Sequence, residues 1–379
     1  MEFPPAYFCS MITLNTTLPP VILLSQLNDL IATTDQPSAL VEVGESEEDV
    51  VFSQRLYASG GRITLHDFRG LVESMMGDMR IMQLYVAVTV PSGTTTATVA
   101  ASTIVVYCSR DLPLSYSGNF FQRQLLVPTA DIVRLPPGAD GHVLAMLVGE
   151  MPNRRTTYVA RLRSSGRIFH GELSTESEGS EPPAWDLFDY SVESANLLTA
   201  ISEREGAPAA DLEVLSITRN LGERSATFVF DESLGNARRF RFRNIFNCYE
   251  EIWLPGVVTE NTKVSRSTAR TYSRSFFYNN RPDYSTQLTT DGIPRMDADR
   301  AAQLCESTDV WIWQESHPEV SSASCWQPIL ITDFKCELSD SDEQLNTLKI
   351  TWQHAANRRL LDAQDDHDIF DSTFTPEFR

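Results

Sequence analysis

The sequence predicts a mainly β protein, built from β-sandwich or barrel modules with two short α-helices and divided into several domains. Basic and polar residues alternate with apolar ones over 239–246, which is typical of an antiparallel strand with one buried face. Other short apolar runs follow at intervals of roughly ten residues, separated by Pro, Gly and Ser, a pattern that favours a sandwich or barrel over βαβ units. With 379 residues, the chain is long enough for two or three cores.

The N-terminal region, residues 1–110, is predicted to be β-rich with one helix. Its patterns predict strands at 6–14, 50–57 and 62–65, whereas the apolar run 21–31 fits a strand or a buried helix equally well. The helix is predicted at about 66–78, because one apolar stripe recurs there at helical spacing: Phe68, Leu71, Val72, Met75, Met76 and Met79. We interpret this stripe as core-facing rather than as a partner-binding face.

The start and end of this helix also have sequence signals. Thr64 and Asp67 predict a start that resembles a capping box, and Gly77 weakens the far end. After it, strands are predicted at 84–90, 94–107, 131–135, 143–148 and 156–163. The β-rich middle region, residues 111–190, ends in the acidic, proline-terminated segment 174–183, which predicts an exposed linker.

The C-terminal region, residues 191–358, is predicted to be a further β-rich module with a helix at about 297–306. Ala298, Ala301, Ala302 and Cys305 form one stripe of that helix. A weaker helical pattern covers 191–200. Strands are predicted at 212–219, 225–231, 239–246, 248–254, 310–313, 329–333 and 348–352. Trp311 and Trp313 share one strand face, which predicts a core or interface position for both.

The last segment, residues 359–379, is acidic and contains three phenylalanines, so we expect a flexible tail or an arm that orders against a neighbour. The alternation of the strand at 239–246 places three arginines on one face. These six residues are the candidate interface residues of the chain: Arg239, Arg241, Arg243, Phe370, Phe374 and Phe378.

The formal net charge of −20 opposes binding to nucleic acid, because phosphate contacts need clustered Lys and Arg. We therefore expect no nucleic-acid partner. No apolar run approaches the ~20 residues that span a bilayer, and the N-terminus lacks the basic region of a signal peptide, so we expect no membrane insertion. None of the six cysteines forms a CxxC pair, which predicts reduced thiols and intracellular synthesis.

No motif of catalysis or of cofactor binding stands out, so we expect no enzyme activity, no cofactor and no metal. The chain has no G-x-S-x-G, H-E-x-x-H or G-x-x-x-x-G-K sequence. His66-Asp67 resembles half of a catalytic triad, but a capping or surface role is the simpler interpretation. Glu250 and Glu251 are adjacent on a strand and point to opposite faces, which is poor geometry for acid–base catalysis.

Three segments resemble tail proteins of phages and prophages of gut bacteria. The first is the run 240–247 with Glu250 and Leu254-Pro255-Gly256. The others are 329–333 with 345–352, and 51–53 with 62–67. The resemblance implies a structural protein of the phage tail or baseplate, similar to distal-tail and hub proteins, with a β-rich ring-forming domain followed by β-sandwich modules.

From this resemblance we expect a virion protein that forms a homo-oligomeric ring and joins other tail or baseplate proteins. An acidic chain with edge strands and terminal arms is compatible with that role. One alternative is a carbohydrate- or receptor-binding adhesin module, which needs exposed aromatic rings along a groove. Another is an enzyme such as a glycoside hydrolase, which needs two carboxylates roughly 5–10 Å apart in a cleft.

Overall fold

The computed structural model is mainly β with a few short helices, which confirms the predicted fold class. It describes residues 12–92, 95–111, 120–147, 153–173, 187–270, 272–290, 292–314, 326–337 and 346–355. The predicted linker 174–183 and the predicted tail with Phe370, Phe374 and Phe378 lie outside the described residues. In the part of the chain that is described, no helix has the length and apolar character needed to cross a membrane.

The chain divides into two compact units. The first contains residues 1–235 and 243–251, and the second contains residues 236–242 and 252–379. The domain divisions that the sequence predicts after residues 110 and 190 stay predictions. The helices are α1 (Phe68–Met76), α2 (Phe120–Arg123), α3 (Ser194–Glu205) and α4 (Arg295–Glu306).

Among its described residues, the first unit contains fifteen complete strands. They are β1 (Ile12–Leu14), β2 (Val21–Leu23), β3 (Leu30–Thr34), β4 (Ser38–Gly44), β5 (Val50–Tyr57), β6 (Arg62–Leu65), β7 (Ile81–Ser92), β8 (Thr95–Val106), β9 (Ile132–Leu135), β10 (Leu144–Met146), β11 (Arg154–Leu162), β12 (Ile168–Leu173), β13 (Leu187–Asp189), β14 (Leu212–Leu221) and β15 (Arg224–Phe230). Their sheets have the orders β1-β3-β6, β2-β8-β7-β4-β5, β10-β13 and β12-β11-β14-β15-β9.

One apolar core in the first unit is formed by three parts: the three-stranded sheet β1-β3-β6, the five-stranded sheet that contains β2, and the helix α1. Phe68, Val72 and Met76 of α1 are fully buried in it, and Leu71 and Met75 pack against it. The core-facing interpretation of the helical stripe is therefore correct, except at its end, where Met79 is exposed. The predicted cap is wrong, because Asp67 has a left-handed backbone and its side chain caps no helical N–H.

Another helix of the first unit, α3, packs on the sheet that contains β11. Its buried residues are Leu197 and Ile201, four positions apart on one face. It begins and ends later than the weak pattern at 191–200, and its left-handed C-terminal residue is Gly206. The run 21–31, which fits two structures from the sequence, contains β2, a 3₁₀ turn at Leu24–Gln26 and the first residues of β3.

The second unit is organised around one seven-stranded antiparallel sheet. Two of its strands have residues in both units: β16 (Arg238–Arg243) and β17 (Tyr249–Leu254). The others are β18 (Val257–Arg270), β19 (Ser275–Thr289), β20 (Val310–Trp313), β21 (Trp326–Glu337) and β22 (Thr347–His354). The strand order is β17-β16-β20-β21-β22-β19-β18.

This sheet curls until its two edges meet at one corner. Its edge strands, β17 and β18, are consecutive in the chain and only Pro255 and Gly256 separate them. Three peptide units span at most about 11 Å between Cα atoms, whereas six strand spacings across a flat sheet amount to about 29 Å. A flat sheet is therefore impossible, and the strands enclose one core in the manner of a barrel.

The inner face of the curled sheet forms this core together with α4. Phe240, Phe242 and Trp352 are fully buried in it, and Ala301 and Leu304 of α4 pack among them. The rings of Phe240 and Trp352 meet edge to face at 5.6 Å between centroids. The structure confirms the predicted helix, which begins two residues earlier than expected.

Candidate functional site

The outer face of the curled sheet contains a cluster of tryptophans and arginines, which we call the Trp–Arg face: Arg239, Arg241, Trp253, Trp311, Trp313 and Trp326. Strand register places these residues together. Arg241 is opposite Trp311, and Trp313 is opposite Trp326. Their neighbours Val310 and Ile312 point into the core. Because successive side chains of a strand point to opposite faces, Trp311 and Trp313 lie on the outer face and are not core residues.

Arg239 is at the centre of the Trp–Arg face. Its guanidinium carbon lies 4.9 Å from the ring centroid of Trp313, 5.0 Å from that of Trp326 and 5.1 Å from that of Trp253. Arg241 lies 4.2 Å above the ring of Trp326. Cation–π contacts of this kind each contribute about 0.5–1 kcal/mol at exposed sites. The guanidinium groups thus cover ring faces that a sugar would need for stacking.

Arg243 lies on the same face of β16 as Arg239 and Arg241, but it belongs to the first unit. Its guanidinium donates to Asp78 Oδ1 at 2.7 Å and to Asn247 Oδ1 at 3.1 Å, and it lies over the ring of Tyr249. The hydrogen bond and the positive charge of Arg243 lower the pKa of Asp78. Arg239 and Arg241 thus share a contact with Trp326, whereas Arg243 contacts residues of the first unit.

A buried polar network lies next to Arg243 in the first unit, and the sequence analysis missed it. Glu250 is fully buried and accepts hydrogen bonds from the backbone N–H and the hydroxyl of Thr129, at 3.2 and 3.1 Å. Asn244 donates to Glu250 Oε2 at 3.1 Å and to the carbonyl of Leu126 at 2.7 Å. All of these hydrogen bonds serve the fold, so the Glu250 carboxylate has a structural role. The signal that could have revealed the network is the presence of polar residues, Asn244 and Glu250, within an apolar alternation.

The most exposed structure of the second unit is a two-stranded ribbon, residues 260–285 of β18 and β19. In the described part of the chain, the residues of β19 from Thr286 onwards pair with β22, and over 260–285 the two strands pair only with each other. The eleven residues of β18 in the ribbon, 260–270, extend about 35 Å along the strand. Most of its described side chains are exposed, including Phe277 and Tyr284, each 61% exposed.

Cys108, Cys248 and His66 are residues of types that can carry chemistry, and in the structure they are buried or contact nearby groups. No group of three His, Cys, Asp or Glu side chains in the described part of the chain is close enough to hold a metal. Burial raises the pKa of the Cys108 thiol and raises that of Cys248 to about 12, which disfavours a nucleophilic thiolate. His66 contacts Asp29, at 2.8 Å, and the backbone N–H of Asp67 donates to the same carboxylate.

No protein-family model matches the chain, and no curated protein matches it. Among solved structures, the chain is similar to the full extracellular region of plexin A4, at 8% sequence identity and a TM-score of 0.20. That match covers 93% of this chain and 37% of the plexin chain. A TM-score of this size is too low to indicate a shared fold.

Proposed function

We propose that the chain is a virion structural protein of a phage tail or baseplate, which assembles through homo-oligomeric, ring-like contacts and joins neighbouring tail components. The observation that carries the assembly part is the ribbon, residues 260–285, which extends beyond its sheet with aromatic residues exposed on it. The tail part depends on the resemblance of the segments around Phe240, Ile329 and Val51.

The physical case for assembly starts from the stability of the ribbon. An isolated two-stranded hairpin is marginally stable in water. The ribbon also presents an open edge along β18, and open strand edges are templates for pairing with another chain. A partner that packs on Phe277 and Tyr284 would bury apolar area and reduce the conformational freedom of the ribbon.

Light scattering of the full-length chain over a concentration series tests this proposal. We expect a larger species of one defined mass to accumulate as concentration rises, and negative-stain images of it to show closed rings. A variant in which residues 261–285 are replaced by a two-residue Asn-Gly turn between Glu260 and Thr286, which are opposite each other, is expected to stay monomeric and to remain folded by circular dichroism. A monomeric wild type at every concentration contradicts the proposal.

A second candidate function is carbohydrate or receptor binding at the Trp–Arg face, as an adhesin module. The observation that favours it is the pair of half-buried rings of Trp313 and Trp326 on an outer sheet face, 5.2 Å apart. A sugar that stacks on them would have to displace the guanidinium groups of Arg239 and Arg241 from the ring faces. A glycan array tests it: a carbohydrate binder loses its signal in Trp326→Ala and keeps it in Tyr57→Ala, an exposed aromatic residue of the first unit. Absence of any glycan signal rejects this function.

A further inference from the structure

The two faces of the ribbon differ, and strand register shows which side chains share a face. Val258 and Leu288 are opposite each other and belong to the core face of the sheet. Counting by twos along β18 places Val264, Arg266 and Arg270 on the continuation of that face. A register shift between Ser267 and Thr268 brings Phe277 of β19 to the same side.

A contact confirms this assignment: the guanidinium carbon of Arg266 lies 5.1 Å from the ring centroid of Phe277. The continuing face, which we call the ribbon face, therefore contains Val264, Arg266, Arg270, Phe277 and Tyr284. All five are exposed. Aromatic residues and arginine are the types that dominate the binding energy of protein interfaces. The ribbon face has the composition of a docking surface.

The charge of the ribbon is opposite to that of the rest of the protein. Its basic residues outnumber its acidic ones, with Lys263, Arg266, Arg270, Arg274 and Arg281 against Glu260 and Asp283. The ribbon thus carries a net charge of +3 in a chain whose formal net charge is −20. Two ribbons repel each other, so edge-to-edge pairing of one ribbon with another is disfavoured. The rest of a second copy attracts it.

The first unit presents a matching acidic feature at the turn between β4 and β5. Four of its five residues are acidic, Glu45, Glu47, Glu48 and Asp49, and all of these are exposed. No other run of five described residues has four carboxylates. Val51 follows the turn and is 61% exposed, which adds an apolar surface beside the charges.

We propose that the ribbon face docks on the acidic turn of a second copy of this chain. Arg266 and Arg270 face the carboxylates of Glu47, Glu48 and Asp49, while the aromatic rings of the ribbon cover the apolar surface beside them. The inference rests on the proposed homo-oligomeric function and names the surfaces that make the contact. A nucleic acid is the other occupant that positive charge attracts, but the net charge of −20 repels its phosphates.

Sedimentation velocity on charge-reversal variants tests the pairing. The ribbon variant is Arg266→Glu/Arg270→Glu, and the turn variant is Glu47→Lys/Glu48→Lys. Each is expected to weaken self-association at least 10-fold, because like charges then face each other. The variant with all four substitutions restores complementary charges and is expected to assemble within about 3-fold of wild type. Added NaCl weakens the wild-type oligomer.

The control variant makes the same charge change at exposed residues outside both surfaces, Arg167→Glu/Lys349→Glu, and is expected to associate like wild type. Circular dichroism of each variant establishes that it is folded. A wild-type chain that never associates overturns the proposed function and this contact together. A wild-type oligomer that ribbon reversal leaves intact overturns the ribbon contact alone.

Two further outcomes also decide against the pairing. If both reversals weaken association but the combined variant is not rescued, the ribbon meets a surface other than the acidic turn. A fluorescent DNA duplex that binds the wild type and not the ribbon variant, while the protein itself stays monomeric, assigns the ribbon to nucleic acid instead.

Discussion

At the scale of single residues, Asn244 is the polar residue on which the first unit depends most. Its side-chain amide donates to the carbonyl of Leu126 and to Glu250, and its side-chain oxygen accepts from the N–H groups of Phe246 and Cys248 at 3.0 and 3.2 Å. Because the site is buried, each of these groups lacks water as a substitute partner. Asn244 therefore fixes the backbone between β16 and β17.

The substitution Asn244→Ala is expected to destabilise the protein by about 2–4 kcal/mol, since it leaves a buried carboxylate and several backbone groups unsatisfied. Urea unfolding measures this change. The matched control is Asn28→Ala, because Asn28 is exposed and donates only to the nearby carbonyl of Gln26, so it is expected to change stability by less than about 0.5 kcal/mol. Equal effects of the two substitutions contradict this role of Asn244.

Asp231 gives a prediction about acid stability. Hydrogen bonds from Ser233 and from Arg134, together with the charge of Arg134, lower the pKa of Asp231 from 3.8 to about 2. Because the folded pKa lies below the unfolded value, the contribution to stability is present above about pH 4 and is lost as the pH falls towards 2.

That contribution amounts to at most about 2 kcal/mol, from 1.36 kcal/mol per pKa unit, because solvent screens the partly exposed carboxylate. Chemical unfolding at neutral and acidic pH measures it. Asp231→Asn is expected to be less stable than wild type at neutral pH by up to this amount, and the difference is expected to shrink below pH 4. A difference that stays constant over this range contradicts the assignment.

Among single residues, the sequence predicted the positions of alternating side chains better than their partners. The alternation over 239–246 correctly places Phe240 and Phe242 inside and Arg239 and Arg241 outside. It does not predict that the arginines meet tryptophans from β17, β20 and β21, because those contacts depend on strand order. The role of Phe370, Phe374 and Phe378 stays a prediction.

At the scale of elements, the hairpin of β4 and β5 depends on the absence of a side chain at Gly44. A Cβ atom there would lie 2.0 Å from the backbone carbonyl oxygen of Asp49 and 2.8 Å from the Cα of Val50. Both are backbone atoms of the neighbouring strand and its bulged register, so they have little freedom to move. Glycine at this position therefore holds the acidic turn in place.

Gly44→Ala is expected to destabilise the first unit by more than about 2 kcal/mol, since the backbone must shift to admit the methyl group. Thermal unfolding followed by circular dichroism measures the effect. Gly235→Ala is the matched control: its backbone is in the right-handed helical region, and the nearest atom to an added Cβ is an ordinary 3.4 Å away. It is expected to be neutral or slightly stabilising. If Gly44→Ala is tolerated as well as Gly235→Ala is, a Cβ atom fits at Gly44 and the close backbone contact there is wrong.

Strongly patterned elements were predictable, and elements that are exposed on both sides were not. The strand β16 and the helix α4 each bury one face, which leaves a periodic signal in the sequence. The ribbon, residues 260–285, buries neither face, so its sequence lacks apolar alternation and no strand was predicted there. The surface that we propose for docking thus lies in a described segment with a weak sequence pattern.

At the scale of the whole molecule, the closure of the seven-stranded sheet determines which surfaces the second unit offers. The strands that meet at Pro255 and Gly256 enclose the core, so the Trp–Arg face points outward and the ribbon continues past the sheet. Closure depends on which strands pair, and a single sequence contains no direct signal of that order. The mainly β class was predictable, whereas this strand order was not.

We propose that copies of the chain associate through the ribbon, and hydrogen–deuterium exchange of the full-length protein at low and high concentration tests this peptide by peptide. We expect slower exchange at high concentration in peptides from residues 260–285 and from the turn at 45–49, and unchanged exchange in β16 and β20. If ribbon peptides exchange at the same rate at every concentration, with or without an oligomer present, the ribbon is not the contact surface.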